Sequence, residues 1–199
     1  GACGDINPTD GTDWCFGGHA EACRLGAMFA DAVRGALRGP LERLREAPLS
    51  GGARRIVLPT QPAPDRAALE RMTSEPGVAG EWSRKLLAVP ELAKPYRMLE
   101  ASLLTLAEDA ALLAMNGEIV ADYGLYVKEI SRGRVLPLGY SNGMIGYVVT
   151  AAQLEEGGYE PAASTRYFML PAPFDPAIEG LIKDGVRELL AAHGFGAGP

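Results

Sequence analysis

Apolar residues recur every three or four positions along several stretches of the chain, and this spacing predicts amphipathic helices. One such stretch covers residues 20–38 and ends at Gly39-Pro40. Another opens at Asn116-Gly117, and its predicted apolar face comprises Ile119, Val120, Tyr123, Val127 and Ile130. Residues 151–156 are predicted to form a further, short helix.

The last predicted helix has recognisable signals at both ends. Asp175 is the predicted N-cap, Pro176 the first helical residue and Gly194 the C-terminal stop. Its predicted buried stripe consists of Ile178, Leu181, Ile182, Val186, Leu189 and Leu190. Two polar surface helices are also predicted, over residues 65–74 and 80–94.

Other apolar stretches have the length of β-strands. Met98–Ala107 and Ala110–Met115 are separated by Glu108-Asp109, which predicts two buried strands of one hairpin. Shorter strands are predicted over residues 55–59 and 134–139. Because strands alternate with helices, the pattern predicts an α/β fold, with a mixed sheet and flanking helices.

Composition narrows the class of protein. The chain has 199 residues, of which 47% are hydrophobic and 22% charged, and such a composition excludes disorder. Its formal net charge of −6 argues against nucleic acid as the main partner, since phosphate binding needs a surplus of Lys and Arg. No apolar run reaches the roughly 18 residues of a membrane span, so no transmembrane segment is predicted.

The first residues suggest that the chain is cut at its ends. It begins Gly1-Ala2-Cys3-Gly4, with neither an initiator Met nor a signal peptide, so its compartment stays open. Cys3, Cys15 and Cys23 are an odd number of cysteines. Three free thiols are expected, with a Cys3–Cys15 disulfide as the alternative.

Metal ligands of the usual kind are scarce. His19 and His193 are the two histidines, and a site based on several histidines cannot be built from them. His193 falls in the last turn of the final helix, where a capping role is expected. His19 precedes a helix and is expected at the surface. The loop with Asp5, Asn7 and Asp10 has the wrong spacing for a calcium loop, which favours a structural turn.

Two positions could carry chemistry. Glu118 is predicted to begin a helix directly after a buried strand, a junction where α/β folds place functional groups. The alternative is an acid of the first helical turn, stabilised by the helix dipole. The glycine-rich loop 139–147 is flanked by apolar residues, so it is expected to run through the interior and to place Tyr140, Asn142 or Tyr147 in a contact there. The alternative is a glycine-rich strand whose tyrosines are part of the core.

Three motifs together resemble one family. GACGDINP at the start, AMNGEIVADYG at 114–124 and GYSNGMIGYVVTAAQLEEGGYEPAAST at 139–165 resemble neutral/alkaline, non-lysosomal ceramidases and their bacterial relatives. The likeness is weakest over residues 40–95. It corresponds to the second half of the family's catalytic domain, so residues 1–199 are expected to be an incomplete half of it, with the upstream half absent.

The resemblance implies a zinc-dependent amide hydrolase that cleaves the N-acyl bond of ceramide or a related lipid. Zinc in that family has two histidine ligands, a glutamate and a tyrosine. The glutamate matches Glu118 and the tyrosine Tyr147, while both histidines belong to the absent upstream half. A further family tyrosine falls on Tyr159, which could hydrogen-bond the amide oxygen at the catalytic centre.

The chain departs from the family at Asn7, which stands where the Gly-Asp-x-Ser-Pro motif has a serine. An amide cannot be a nucleophile, but it could donate a hydrogen bond to an oxyanion. The favoured hypothesis is attack by zinc-activated water, with Asn7 in the catalytic centre. The alternatives are a ceramidase-like hydrolase of another amide or ester, and an inactive fragment or subunit. Such a fragment would need a partner chain, for which the N-terminal half is a candidate.

Overall fold

The structure is a computed structural model that describes residues 1–9 and 11–196, and they form two compact units. Residues 6–45 are one unit, and Gly1–Asp5 together with residues from Glu46 onwards are the other. The smaller unit contains helix α1, His19–Leu37, which confirms the helix predicted over 20–38. None of the residues of α1 is buried.

The larger unit is built on a mixed sheet of four strands. These strands are β1 (Ser50–Pro59), β2 (Tyr96–Ala107), β3 (Ala110–Met115) and β5 (Val135–Leu138), in the order β1-β2-β3-β5. The first three are antiparallel neighbours, and β5 pairs with β3 in parallel. A separate parallel pair joins β4 (Glu118–Ile119) to β6 (Tyr147–Val148). The predicted α/β class and the β2–β3 hairpin are therefore confirmed.

Helices connect and flank these strands. They are α2 (Arg66–Met72), α3 (Val78–Ala88), α4 (Ala121–Ile130), α5 (Ala151–Glu156) and α6 (Ile178–Ala192), with short 3₁₀ helices at Pro90–Ala93 and Ala163–Arg166. No helix in the described part of the chain combines the length and apolarity that crossing a membrane requires. Cys3, Cys15 and Cys23 are free thiols, as predicted.

The two faces of the four-stranded sheet differ in burial. One face carries side chains such as Leu99, Leu103 and Leu113 into a core completed by α4 and α6. The side chains that alternate with these point to the other face, where Val57, Leu104, Leu106 and Leu136 are exposed. The nearly continuous apolar pattern of β2 and β3 predicted two buried strands, and the structure buries one face of them while the other face is partly exposed.

Three sequence predictions about helices need correction. Helix α4 begins at Ala121, so Glu118 lies in strand β4 and not in a first helical turn. Helix α6 begins at Ile178, two residues after Pro176, and Leu181 within it is exposed. Helix α3 is not a polar surface helix, because Trp82 and Leu86 form a second small core with Leu69.

Candidate functional site

The site begins where β3 ends. Asn116 is buried there, and its side-chain oxygen accepts a hydrogen bond of 2.7 Å from the backbone N–H of Glu100 in β2. Its backbone oxygen accepts another of 3.1 Å from the N–H of Ile145. Asn116 thereby ties the sheet to the loop that follows β5, and this tie sets the position of Glu118 two residues later.

Strands β4 and β6 bring the two predicted zinc ligands together. Glu118 and Tyr147 are directly opposite residues of this parallel pair, and the Glu118 N–H donates to the Gly146 oxygen at 2.9 Å. Tyr123 of α4 stabilises this pair of strands. Its side chain is buried, and its hydroxyl donates a hydrogen bond of 3.0 Å to the backbone oxygen of Val149, the residue after β6. A carboxylate and a phenol far apart in the sequence therefore become neighbours.

Tyr140 contacts the same carboxylate from the loop after β5. Its hydroxyl donates a hydrogen bond of 3.0 Å to Oε2 of Glu118. Its backbone lies in the left-handed region, with φ of 56°, and its N–H donates to the Gly117 oxygen at 2.8 Å. Non-glycine residues rarely adopt this conformation, and those that do cluster at functional sites. Partial burial, followed by the hydrogen bond to Glu118, raises the pKa of Tyr140 to about 12.

Two more aromatic rings surround the Tyr147 phenol. The rings of Tyr159 and Phe168 both meet it edge-on, with ring centres at 5.8 Å and 5.9 Å. Burial raises the pKa of Tyr147 first, and hydrogen bonding to the Glu118 carboxylate raises it further. Without a cation, these surroundings favour the neutral phenol. We call Glu118, Tyr140, Tyr147 and Tyr159 the tyrosine cluster.

The cluster is open to solvent on one side. Tyr140 and Tyr159 are 47% and 50% exposed, whereas Tyr147 and Glu118 are half-buried. The ring of Tyr159 also lies against Tyr167, with ring centres 6.4 Å apart. Neutral phenols that line an opening around one carboxylate can donate hydrogen bonds to a ligand, and the carboxylate can bind a cation.

Asp5 approaches the cluster from the N-terminal segment but has a structural role. Its Oδ1 accepts from the N–H of Ala121 at 2.8 Å, and its Oδ2 accepts from the Gln153 side chain at 2.9 Å. It therefore caps α4 and links that helix to α5. The segment packs so closely that a Cβ on Gly4 would lie 2.6 Å from the Glu118 backbone oxygen.

The other residues considered from the sequence lie elsewhere. His193 is the C-cap residue of α6, as predicted, and its ring packs over Gly52 of β1. Asn7 and His19 belong to the unit of residues 6–45. Asn7 is exposed, and Nε2 of His19 lies 3.5 Å from the Cys23 sulfur. The catalytic role of Asn7 stays a prediction.

The donor atoms of the cluster fit part of a zinc site. Zinc accepts carboxylate oxygens and takes three or four protein ligands in tetrahedral geometry. Glu118 and Tyr147 offer two oxygen donors on adjacent strands. Within residues 1–9 and 11–196, no group of three or more His, Cys, Asp or Glu side chains is placed to hold a metal ion.

Sequence reasoning found the glycine-rich loop but not the contact that Tyr140 makes. The available signal was the pair of glycines at positions 139 and 143, which flank Tyr140 and Asn142. In the structure, Tyr140 and Asn142 both have positive φ. The capping role of Asp5 had no signal, because its partners Ala121 and Gln153 are distant in the sequence.

Comparison of the chain with protein-family models, with curated proteins and with solved structures finds no match.

Proposed function

We propose that the chain contributes to a zinc-dependent amide hydrolase that resembles neutral ceramidases and cleaves the N-acyl bond of ceramide or a related N-acyl lipid. The observation that carries the proposal is the register of β4 and β6, in which Glu118 faces Tyr147. The edge-on contact of Tyr159 with Tyr147 supports it further, since the resemblance assigns these three residues to one site.

Two oxygen ligands would come from this chain, the Glu118 carboxylate and the Tyr147 phenol. Two histidine ligands would come from polypeptide outside residues 1–199, which by themselves are expected to be inactive. When bound, zinc polarises the amide carbonyl and makes a nucleophile available at neutral pH. A nearby cation would also lower the pKa of the Tyr147 phenol against the upward influence of burial and Glu118.

The remaining residues of the cluster have separate roles. Tyr140 is a positioning residue, because its hydrogen bond to Oε2 holds the Glu118 carboxylate in one orientation. Tyr159, half exposed, would donate a hydrogen bond to the amide oxygen as negative charge develops there.

The experiment uses the full-length protein and measures bound zinc by elemental analysis and hydrolysis of an N-acylsphingosine. We expect Glu118→Gln and Tyr147→Phe to lose most of the bound zinc and most of the hydrolytic activity. Tyr140→Phe should lower zinc affinity roughly 10- to 100-fold, the usual cost of removing a group that orients a metal ligand. Chelator competition measures that affinity independently of activity.

Tyr126→Phe is the matched control for the tyrosine variants. It also removes one tyrosine hydrogen bond, to the Lys183 oxygen at 3.2 Å, but this bond joins the middle of α4 to α6 and does not involve Glu118. It should leave zinc content and activity unchanged. Undiminished zinc in Glu118→Gln and Tyr147→Phe would reject the site.

Asn7 favours a second candidate, a ceramidase-like hydrolase of a non-sphingolipid amide or ester. An amide side chain in place of a hydroxyl changes the hydrogen bonds available to the substrate. A panel of N-acyl substrates separates the candidates, because turnover of short soluble amides without turnover of ceramide supports the second. Turnover by residues 1–199 alone would contradict the proposed contribution of outside histidines.

A further inference from the structure

A second concave region lies beside the 3₁₀ helix Ala163–Arg166. It is a cavity of about 440 Å³, within the range of about 300–1,000 Å³ typical of small-molecule sites. Its walls are mostly proline, alanine and tryptophan, and they include Pro62, Pro64, Trp82, Pro171 and Pro173. Because proline has no backbone N–H, these walls offer few hydrogen-bond donors and little conformational freedom.

Arg166 is the charged residue of this lining. Its guanidinium carbon lies 5.7 Å from the centre of the Trp82 ring. Trp82 is itself fixed, being 4% exposed and donating from Nε1 to the Leu170 oxygen at 2.7 Å. The contact with Trp82 therefore holds the exposed guanidinium in the lining of the cavity.

Within residues 1–9 and 11–196, the side-chain N–H groups of Arg166 have no hydrogen-bond acceptor. In the part of the chain that the structure describes, its guanidinium forms no ion pair and no hydrogen bond, and the Trp82 ring is its partner. The same side chain lines an adjoining cavity of about 460 Å³ together with Gly158 and Tyr167. A guanidinium that lines both cavities, and whose N–H donors have no acceptor among the described residues, is suited to bind an anion.

We propose that this cavity binds a small amphipathic carboxylate, with its apolar chain against the proline walls and its carboxylate on Arg166. The planar fork of a guanidinium matches a carboxylate bidentately. Phosphate sites commonly add further cations or converging backbone N–H groups, and Arg166 is the one cation in the described lining. The site goes beyond the proposed amide hydrolysis and does not depend on zinc.

Trp82 reports occupancy directly. In the chain carrying Trp14→Phe, Trp82 is the remaining tryptophan, and its fluorescence can be followed while decanoate is added. We expect a saturable change. Arg166→Gln should weaken decanoate binding at least about 10-fold, since it removes a charge-assisted pair. The decanoate affinity of Arg166→Lys should lie between those of the parent and of Arg166→Gln, because lysine keeps the charge but lacks the planar guanidinium.

Three controls distinguish the contribution of the ligand's charge from that of its apolar chain and from general effects on the protein. Arg187→Gln, which removes an exposed arginine of α6, should bind decanoate as the parent does. Decanol should bind far more weakly, and inorganic phosphate should not compete. Equal binding of decanoate and decanol, competition by phosphate, or an unchanged affinity in Arg166→Gln would each overturn the proposal. Because the readout needs no zinc, loss of decanoate binding and loss of the amidase site are distinguishable.

Discussion

Asp5 and Glu118 are two half-buried carboxylates in adjoining segments, and they have different surroundings. Asp5 accepts from a backbone N–H and from a glutamine amide, so both of its oxygens hold helices in place. Glu118 accepts hydrogen bonds from the phenols of Tyr140 and Tyr147, in a cluster that is open to solvent on one side. A carboxylate whose oxygens stabilise the fold is not available to a ligand, whereas Glu118 keeps such capacity.

The largest effect that tests this comparison is expected for Asp5→Ala. It removes both hydrogen bonds and leaves the Ala121 N–H and the Gln153 amide without their acceptor. We expect the free energy of unfolding to fall by about 2–3 kcal/mol, measured by urea denaturation. Gln153→Ala removes one of these bonds together with the capping-box bond from the Thr150 N–H, so it should also lower the stability. A loss below about 0.5 kcal/mol in Asp5→Ala would reject the structural role of Asp5.

A smaller effect is expected at Glu179, a third carboxylate, which also holds a helix end. It accepts from the Ala151 N–H at 2.8 Å and pairs with Lys183. The hydrogen bond from Lys183, and then that from Ala151, lower the pKa of Glu179. Its stabilisation is therefore present above the ordinary glutamate pKa of about 4.3 and is lost as the pH falls below it.

Glu179→Gln should accordingly lower stability by at most about 1 kcal/mol at pH 7, and by less at pH 3. Urea denaturation of the parent and the variant at both pH values measures the difference. Glu188→Gln, which changes an exposed carboxylate later in α6, is the control. A difference that grows towards low pH would contradict the sign.

The smallest effect on stability is expected for Glu118→Gln. The amide keeps an oxygen that can accept from Tyr140, and in the described part of the chain no helix end is hydrogen-bonded to this side chain. The unfolding free energy should change by less than about 0.5 kcal/mol. If Glu118→Gln were as unstable as Asp5→Ala, Glu118 would be a structural carboxylate too, and the contrast between Asp5 and Glu118 would be lost.

Much of the fold followed from local patterns. The β2–β3 hairpin was predictable because two apolar runs flank one acidic pair, and α5 because Thr150 and Gln153 form a capping box within four residues. The start of α4 was not predictable, because its first N–H finds an acceptor at Asp5 and its preceding residues pair with β6. Strands of two residues have no periodicity to read.

For the candidate site, the sequence indicated which residues to examine, through the resemblance and through the glycine-rich loop. Only the tertiary structure decided that Glu118 faces Tyr147, that Tyr140 holds the carboxylate and that Asp5 is committed to helix ends. The spacing of apolar residues reflects burial within a single helix or strand. The sequence alone can therefore indicate where helices and strands lie and which face of each is buried. Hydrogen bonds between distant residues leave no such periodic trace, because their energy depends on distances that exist only after folding.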